Sequence, residues 1–559
     1  MNDPAPAHPT TAPRLPQWIW GLGAALILGG LCLRLASGGL PVQTSYPYAA
    51  SLLLDAGSRI ADGQVPYRDF HTPIGFTYLG LCAFFLRLSH GLPHALALLS
   101  AGCGALVGAW TWCVAAPRCR GPLAALLTVL IGLLVASPAF YGYGALEISY
   151  GGHYSRLAWG ILATVVVQAV LQTRTALPGW RALVEALGVG ACLGLLFGIK
   201  FTFLFAGLVV LAASWWYRRP PLRLGGAMAV GALAAVGAGL SASGGSLLGY
   251  AHDCASLGGA VPLPVLLAQY KHKLDLLGLA LVAALAVWTW PAHAAGWRRS
   301  WATPLPEAPL LAALVLGLGL VLSASTGIED ASPCFLLAML VLAQGGGAGA
   351  RALPELRGAT LIAAAVLGAF AARLAMPIIK GPYAVASHQL TLAHGPWAGL
   401  DFMPAVPGTT DPAQLISYVW VQPFNLIDNL WYNYLAQADA LLRPRLQPGD
   451  RVLSMDYINP LSYLLAHPAP RNDLLYWSFD RNVTPATAPQ AALLFADADW
   501  VMVPKIELFH ESSRPKQQLY AAWIQSHYRL AGENAYWYCY RRAVLASPAA
   551  TEPGATSPR

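Results

Sequence analysis

Long apolar runs joined by short polar connections dominate the chain, and most of the runs are roughly 16–24 residues, enough to cross a hydrocarbon core as a helix. They predict a polytopic α-helical membrane protein of about eleven transmembrane helices. The helices fall near residues 18–36, 93–116, 122–140, 157–172, 183–199, 201–217, 224–243, 273–291, 309–325, 332–344 and 358–375. Between the first two runs the pattern changes. Tyr48–Asp62 places Leu52, Leu53, Ala56 and Ile60 on one helical face and Asp55, Arg59 and Asp62 on the other, which predicts a juxtamembrane helix lying on the membrane surface. Ile74–Leu88 is apolar enough to enter the bilayer, but a full span there inverts every later connection, so it is predicted to be half-embedded.

Beyond the last run, short β-rich segments (Val452–Met455, Trp500–Val503, Arg529–Ala531, Trp537–Tyr540) alternate with helical stretches such as Ser513–Ser526. This predicts a small C-terminal α/β domain with a hairpin around Gly532, Glu533 and Asn534. The expected organisation is an N-terminal tail (1–17), a transmembrane domain (18–375) with its first outer loop at 37–92, the α/β domain (376–545) and a disordered tail (546–559).

Composition agrees with lipid as the main solvent: 56% of the 559 residues are hydrophobic and 11% charged, against roughly 25% charged in soluble domains. The net charge of +8 comes mostly from arginines between the runs. With the N-terminus in the cytoplasm, Arg118/Arg120, Arg174/Arg181, Arg218/Arg219/Arg223, Arg298/Arg299 and Arg351/Arg357 all fall on the inner side, as the positive-inside rule requires. The charge therefore reports topology, with no call for nucleic acid. The first run ends in Cys32, Leu33 and Arg34 without a small-residue cleavage pattern, so it reads as an anchor. Segments 37–92, 141–156, 244–272, 326–331 and everything after about 376 then face outward, the periplasm of a bacterial inner-membrane protein. The nine cysteines show neither a CxxC pair nor Cys/His ligand spacing, so the expectation is no metal site.

Lys200 stands between GLLFGI and FTFLFAGL, two runs too long together for one span, and is predicted to mark a turn between two helices at the outer face. A charge at membrane depth costs roughly 2.5–3.5 kcal/mol on insertion scales and favours an anionic partner or a wet cavity; snorkelling to headgroups is the plainer reading. Acidic candidates on the outer side are Asp55, Asp62, Asp69 in YRDFHTP, Glu147 in YGALEISYGGHYSR, and Glu329 with Asp330. Arg59, four residues after Asp55, makes an ordinary helical ion pair the simpler account of that carboxylate. Asp69 and Glu147 lack such a partner and stand beside aromatics and an arginine (Arg68, Arg156), so they are candidates to line one cavity. Arg156, at an outer helix end, is either an interfacial anchor or a functional cation. His71 and His153 lie close by in sequence, more simply as hydrogen-bonding residues than as ligands.

The order of these features resembles the GT-C superfamily of lipid-linked-sugar glycosyltransferases, in the branch with protein mannosyltransferases and aminoarabinose transferases. ADGQVPYRDFHTPIGFTYLG looks like that family's segment between the first loop's surface helices, and FGIKFTF like its lysine turn; PGDRVL and ADWVMVPK look like strands of its outer domain. The resemblance implies a polyprenyl-phosphate sugar donor, an outer-leaflet cavity, and a lipid, glycan or protein acceptor deprotonated by a first-loop carboxylate in one inverting displacement. Where the family begins that loop with an acidic dipeptide, this chain reads VQTSYPYAAS. On that footing Asp69 is the expected base, with Glu147 as second catalytic carboxylate, either an alternative base or an acceptor-positioning group. Lys200 and Arg156 are then the donor-phosphate groups, and Tyr67, His71, Asp55 and Arg59 are candidates for positioning substrate. No particular cofactor is implied, and a divalent cation is compatible with the chemistry.

Two other classes compete. A flippase or transporter of lipid-linked sugars also needs a basic cavity, but typically shows two matching halves, and no internal repeat is seen. A glycan-binding membrane protein without activity fits the missing dipeptide and is excluded by turnover. The topology has a direct check. In a cysteine-less background, a single cysteine at Glu147 is expected to react with an impermeant thiol reagent from outside and one at Arg219 to stay unlabelled; labelling at Arg219 overturns the map.

Overall fold

The computed structural model describes residues 15–38, 48–92, 94–139, 148–218, 221–257, 368–379, 425–479, 482–506, 508 and 510–543. The predicted helices near 273–291, 309–325 and 332–344, the C-terminal tail, and Glu147, Glu329 and Asp330 lie outside them. The described part is mostly helical: α1 (Gln17–Gly38), α2 (Tyr48–Ala61), α3 (Phe76–Leu88), α4 (Ala95–Ala115), α5 (Gly121–Ala136), α6 (His153–Val170), α7 (Gly179–Ile199), α8 (Phe201–Arg218), α9 (Leu222–Ser243) and α10 (Leu247–Leu257). Among the described residues, four helices, α1, α4, α7 and α9, are long and apolar enough to cross a membrane; α3, α5, α8 and the helix Gly368–Ile379 are shorter apolar helices. At 1.5 Å per residue, the 13 residues of α3 span about 20 Å, short of the roughly 30 Å hydrocarbon core. That helix is therefore shorter than one full span.

Small residues set how closely these helices pack. A Cβ on Gly190 of α7 would lie 1.9 Å from the Met228 carbonyl oxygen of α9, and one on Gly231 would lie 2.1 Å from that of Leu187. The two backbones thus touch, as membrane helices do where dispersion replaces the hydrophobic effect as the driving force. At the predicted inner side, Arg118 is buried and donates to Glu185 (2.6 Å) and to the carbonyls of Val114 and Leu171. It links the ends of α4, α6 and α7 in addition to carrying topological charge.

Residues 425–543 hold a four-stranded mixed sheet in the order β2-β4-β6-β5, formed by β2 (Val452–Ser454), β4 (Trp500–Pro504), β5 (Tyr528–Glu533) and β6 (Trp537–Arg542). β2 and β4 are parallel; β4/β6 and β5/β6 are antiparallel, the latter joined through Asn534, whose N–H donates to the Trp537 carbonyl. The helix His510–His527 sends Tyr520 and Ile524 into a core with Leu453, Trp477 and Val501.

The first outer loop is built into this region. Its strand β1 (Phe70–His71) pairs in parallel with β3 (Asp473–Leu474), and Gln64 Nε2 and Tyr463 Oη donate across the junction to the carbonyls of Ala469 (2.7 Å) and Gly91 (2.8 Å). This corrects the surface-helix reading of α2. Its polar face is covered: Asp55 and Arg59 are 2% and 1% exposed, and only Asp62 of the three charged groups reaches solvent. Arg59 donates to Asp55 (2.7 Å) and to the Pro470 carbonyl (3.0 Å), and its Nη2 lies 3.5 Å from Asp473. A second correction is α10, which forms within 244–272, a segment expected to be a connection.

Burial pushes the Asp55 carboxyl up to about 6 despite Arg59. A carboxyl whose folded-state value exceeds its ordinary one favours the fold when protonated, and that contribution disappears as pH rises through about 6. Asp55→Asn is therefore expected to match wild type in thermal midpoint near pH 4. Near pH 8 the variant should be the more stable by up to about 3 kcal/mol, the worth of two pKa units. Melts in detergent across that range check the sign, and a variant that falls below wild type at the alkaline end contradicts it.

Candidate functional site

The polar groups that face each other outside the bundle are brought there by the tight path of residues 65–76. Tyr67 adopts a left-handed backbone (φ 66°), a conformation that costs a non-glycine residue about 1–3 kcal/mol. It is held by its N–H to the Phe70 carbonyl (2.8 Å) and its Oη to the Ile74 carbonyl (2.7 Å). The ring packs on Tyr250 of α10 with centroids 5.4 Å apart, so Tyr67 shapes the loop from within. A few residues on, the Gly75 N–H donates to the Ile199 carbonyl (3.3 Å), and a Cβ at Gly75 would lie 2.2 Å from the Gly198 carbonyl oxygen. Only glycine lets the loop approach the end of α7 so closely.

Lys200 follows at once. It is the extended residue between α7 and α8, as the sequence predicts. Its Nζ donates to Ser155 Oγ (3.1 Å) and sits 5.3 and 5.5 Å from the ring centroids of Tyr154 and Phe203. Among the described residues no carboxylate lies within ion-pair distance of this ammonium. One hydroxyl and two aromatic faces steady the cation without neutralising it, and an ammonium has three donors to offer.

The other predicted residues are distributed differently from expectation. Asp69 has the local partner the sequence reading denied it. Arg68 donates to both its oxygens (3.1 and 2.8 Å), and the Val65 N–H adds a third bond at 2.8 Å. The Arg68 bonds, with the Val65 N–H and despite partial burial, hold the Asp69 carboxyl below its ordinary range, which weakens it as a base. Arg156 is 2% exposed, and its guanidinium donates to the carbonyls of Ala139 and Ser149 (2.9 Å to the latter). Those residues stand at the Ala139–Ile148 bridge, so the arginine ties the ends of a loop. Asp55 and Arg59 belong to the junction beneath the C-terminal sheet. His153 is buried between Tyr78 Oη (2.7 Å) and Ser100 Oγ (2.9 Å), an ordinary satisfied core histidine.

One group was missed from sequence. Asp253, on α10, is 1% exposed and accepts from the Thr72 N–H (2.9 Å) with one oxygen while the other lies 3.0 Å from His71 Nδ1. Its signal was the placement of Tyr250, Asp253 and Cys254 at i, i+3 and i+4, a single helical face on a segment read as a connection. Thr72, at Asp253, and Gly75, at the end of α7, are three residue steps apart, which reach at most about 11 Å. His71, Asp253 and Lys200 therefore occupy one neighbourhood. Among the described residues no group of three or more His, Cys, Asp or Glu side chains could hold a metal ion.

No protein-family model matches the chain, and no curated protein matches it by sequence. Among solved structures it is similar to ArnT from Cupriavidus metallidurans bound to undecaprenyl phosphate (TM-score 0.45, 14% identity, covering 95% of this chain and 99% of that one). It is also similar to the archaeal oligosaccharyltransferase AglB from Archaeoglobus fulgidus in complex with an inhibitory peptide and a dolichol-phosphate (TM-score 0.33, 13% identity, covering 95% and 76%).

The geometry of Arg156 yields a separable expectation. Arg156→Met leaves two buried carbonyls without their donor, a loss of about 1–3 kcal/mol for each. The variant should therefore melt earlier in detergent than wild type, and an unchanged melting midpoint overturns the structural role.

Proposed function

We propose that the chain is a GT-C-type membrane glycosyltransferase that moves a sugar from a polyprenyl-phosphate donor to an acceptor at the outward face of a bacterial inner membrane. The observation that carries the reading is Lys200, an ammonium kept at the junction of two apolar helices and steadied by Ser155, Tyr154 and Phe203. A cation placed at that cost and left without a carboxylate among the described residues is suited to an anion that arrives with a lipid. The resemblance of FGIKFTF and YRDFHTPIGFTY to the family's lysine turn and loop segment adds the class of substrate.

In the proposed reaction the acceptor hydroxyl attacks the anomeric carbon and loses its proton to a base. The C–O bond to phosphate breaks on the opposite face, and its electron pair passes to the phosphate oxygen, which becomes more negative as the sugar leaves. Lys200 answers that growing charge, a preorganised electrostatic contribution that is strongest where water is excluded. The N-terminus of α8, which begins at Phe201, presents its positive end at the same point. Inversion follows from a single displacement. In this reading the unit formed by the first loop and residues 425–543 holds the acceptor, whether lipid, glycan or protein.

Lys200→Ala is expected to weaken binding of undecaprenyl phosphate to the purified protein and to slow turnover as well, whereas Lys200→Arg restores each only in part, because a planar fork differs in shape and reach from an ammonium. Isothermal or fluorescence titration in detergent measures the first. Equal affinity of wild type and both variants reduces Lys200 to an interfacial anchor and removes the ground for the reading.

A further inference from the structure

Deprotonation of an acceptor needs a base with a free lone pair, and the carboxylate first expected to serve is engaged on both oxygens by Arg68 and the Val65 N–H. His71 has the geometry that Asp69 lacks. Its Nδ1 is 3.0 Å from Asp253 Oδ1, and the other oxygen of that carboxylate is fixed by the Thr72 N–H at 2.9 Å. Asp253 is 1% exposed and His71 31% exposed at its side chain. The buried partner is thus held from two directions while the ring reaches the open side. With the Nδ1 proton assigned to the bond with Asp253, Nε2 carries the lone pair, and among the described residues nothing bonds to it. A base oriented by a buried carboxylate through its far nitrogen is the arrangement that activates a weak nucleophile such as a hydroxyl.

We propose that His71 is the general base of the transfer, taking the acceptor hydroxyl proton on Nε2, and that Asp253 is a positioning residue that fixes its tautomer and stabilises the imidazolium. This rests on the glycosyltransferase reading and assigns the proton step within it. The acceptor oxygen bonds to the anomeric carbon as its proton moves to Nε2, and the bond from that carbon to the phosphate oxygen breaks with both electrons leaving on phosphate. The imidazolium then returns its proton to the lipid phosphate or to water, and no oxidant or metal is needed. The competing account is that the pair only fastens α10 to the first loop.

The two accounts part over His71→Asn, whose side-chain amide can still donate to Asp253 and so keep the fastening while lacking a base. The measurement is release of undecaprenyl phosphate by the full-length protein in nanodiscs. The donors are undecaprenyl-phosphoryl mannose, glucose, galactose and arabinose, and the acceptors are bacterial envelope lipid extract and water. Expected are a fall in kcat of about 10²–10⁴-fold in His71→Asn with undecaprenyl phosphate affinity near wild type. Partial recovery of His71→Ala by added imidazole is also expected, as is a loss in Asp253→Asn that imidazole does not repair. If His71→Asn does not fold, the imidazole response of His71→Ala decides: dependence on imidazole supports the base, and full activity without it overturns the base. A wild type that turns over donor together with a fully active His71→Asn overturns the assignment and leaves the glycosyltransferase reading standing. A wild type that binds undecaprenyl phosphate through Lys200 yet releases none from any donor overturns both.

Discussion

Arg59 is a guanidinium with almost no access to water, and the junction between the membrane part and the outer sheet is arranged around satisfying it. Asp55, the Pro470 carbonyl and Asp473 surround it, and Asp473 in turn accepts from Trp477 Nε1 (3.0 Å) and lies 3.9 Å from Lys516. Lys516 donates to the carbonyls of Ser454 and Asp456, and Tyr434 and Ser513 donate to the Asp456 carboxylate. Burial pushes Lys516 down to about 8 while the two carboxylates beside it pull the other way. Such a cluster is not a large source of net stability, because desolvation offsets most of the attraction. Removing Arg59, however, strands the buried Asp55 and Asp473 carboxylates at a cost of about 3–5 kcal/mol. What it supplies is registration. The arrangement of α2 on β3 pairs these charges, although Asp55 Oδ1, Arg59 Nη2 and Asp473 Oδ2 have no hydrogen bond among the described residues, and it puts β1 in register with β3 and fixes where His71 stands.

The same registration explains what the sequence could and could not tell. Lys200 was legible as a helix break because two apolar runs exceed one membrane thickness and only a lysine interrupts them. The β5/β6 hairpin was legible because its turn residues and its alternation are local. The covered polar face of α2 was not, since charged residues on one side of an amphipathic helix normally mean solvent. The residues that cover Asp55 and Arg59 lie about 400 positions away, and nothing local announces them. Nor were the two carbonyls to which Arg156 donates legible, since they meet only where the fold closes a loop.

Asp253 shows how a functional candidate escapes a topology-first reading. By charge alone its segment reads as an outward connection, although the spacing of Tyr250, Asp253 and Cys254 is helical. The tertiary cue is Tyr250 itself, wedged among Tyr67, Phe76 and Phe197 with centroids 5.4, 5.4 and 5.9 Å away. That aromatic contact seats α10 against the loop and the end of α7 together, and it is what carries the Asp253 carboxylate to His71.

The electrostatics of a phosphate donor give a reason for an imidazole in this place. A lipid phosphodiester enters with a negative charge, and a carboxylate base a few ångströms from it is repelled; at 4 Å two like charges interact by about 4 kcal/mol at an effective dielectric of 20. A neutral imidazole escapes that repulsion in the ground state. On taking the proton it becomes a cation just as the departing phosphate gains negative charge, so the interaction strengthens toward the transition state, where it lowers the barrier. Asp253 stands behind the ring and away from solvent, where it favours the imidazolium without presenting its own charge first to the donor. Asp69, locked to Arg68, adds little net negative charge nearby. In the proposed reaction Lys200 takes the phosphate and His71 the hydroxyl, without the repulsion that a pair of bare carboxylates would bring.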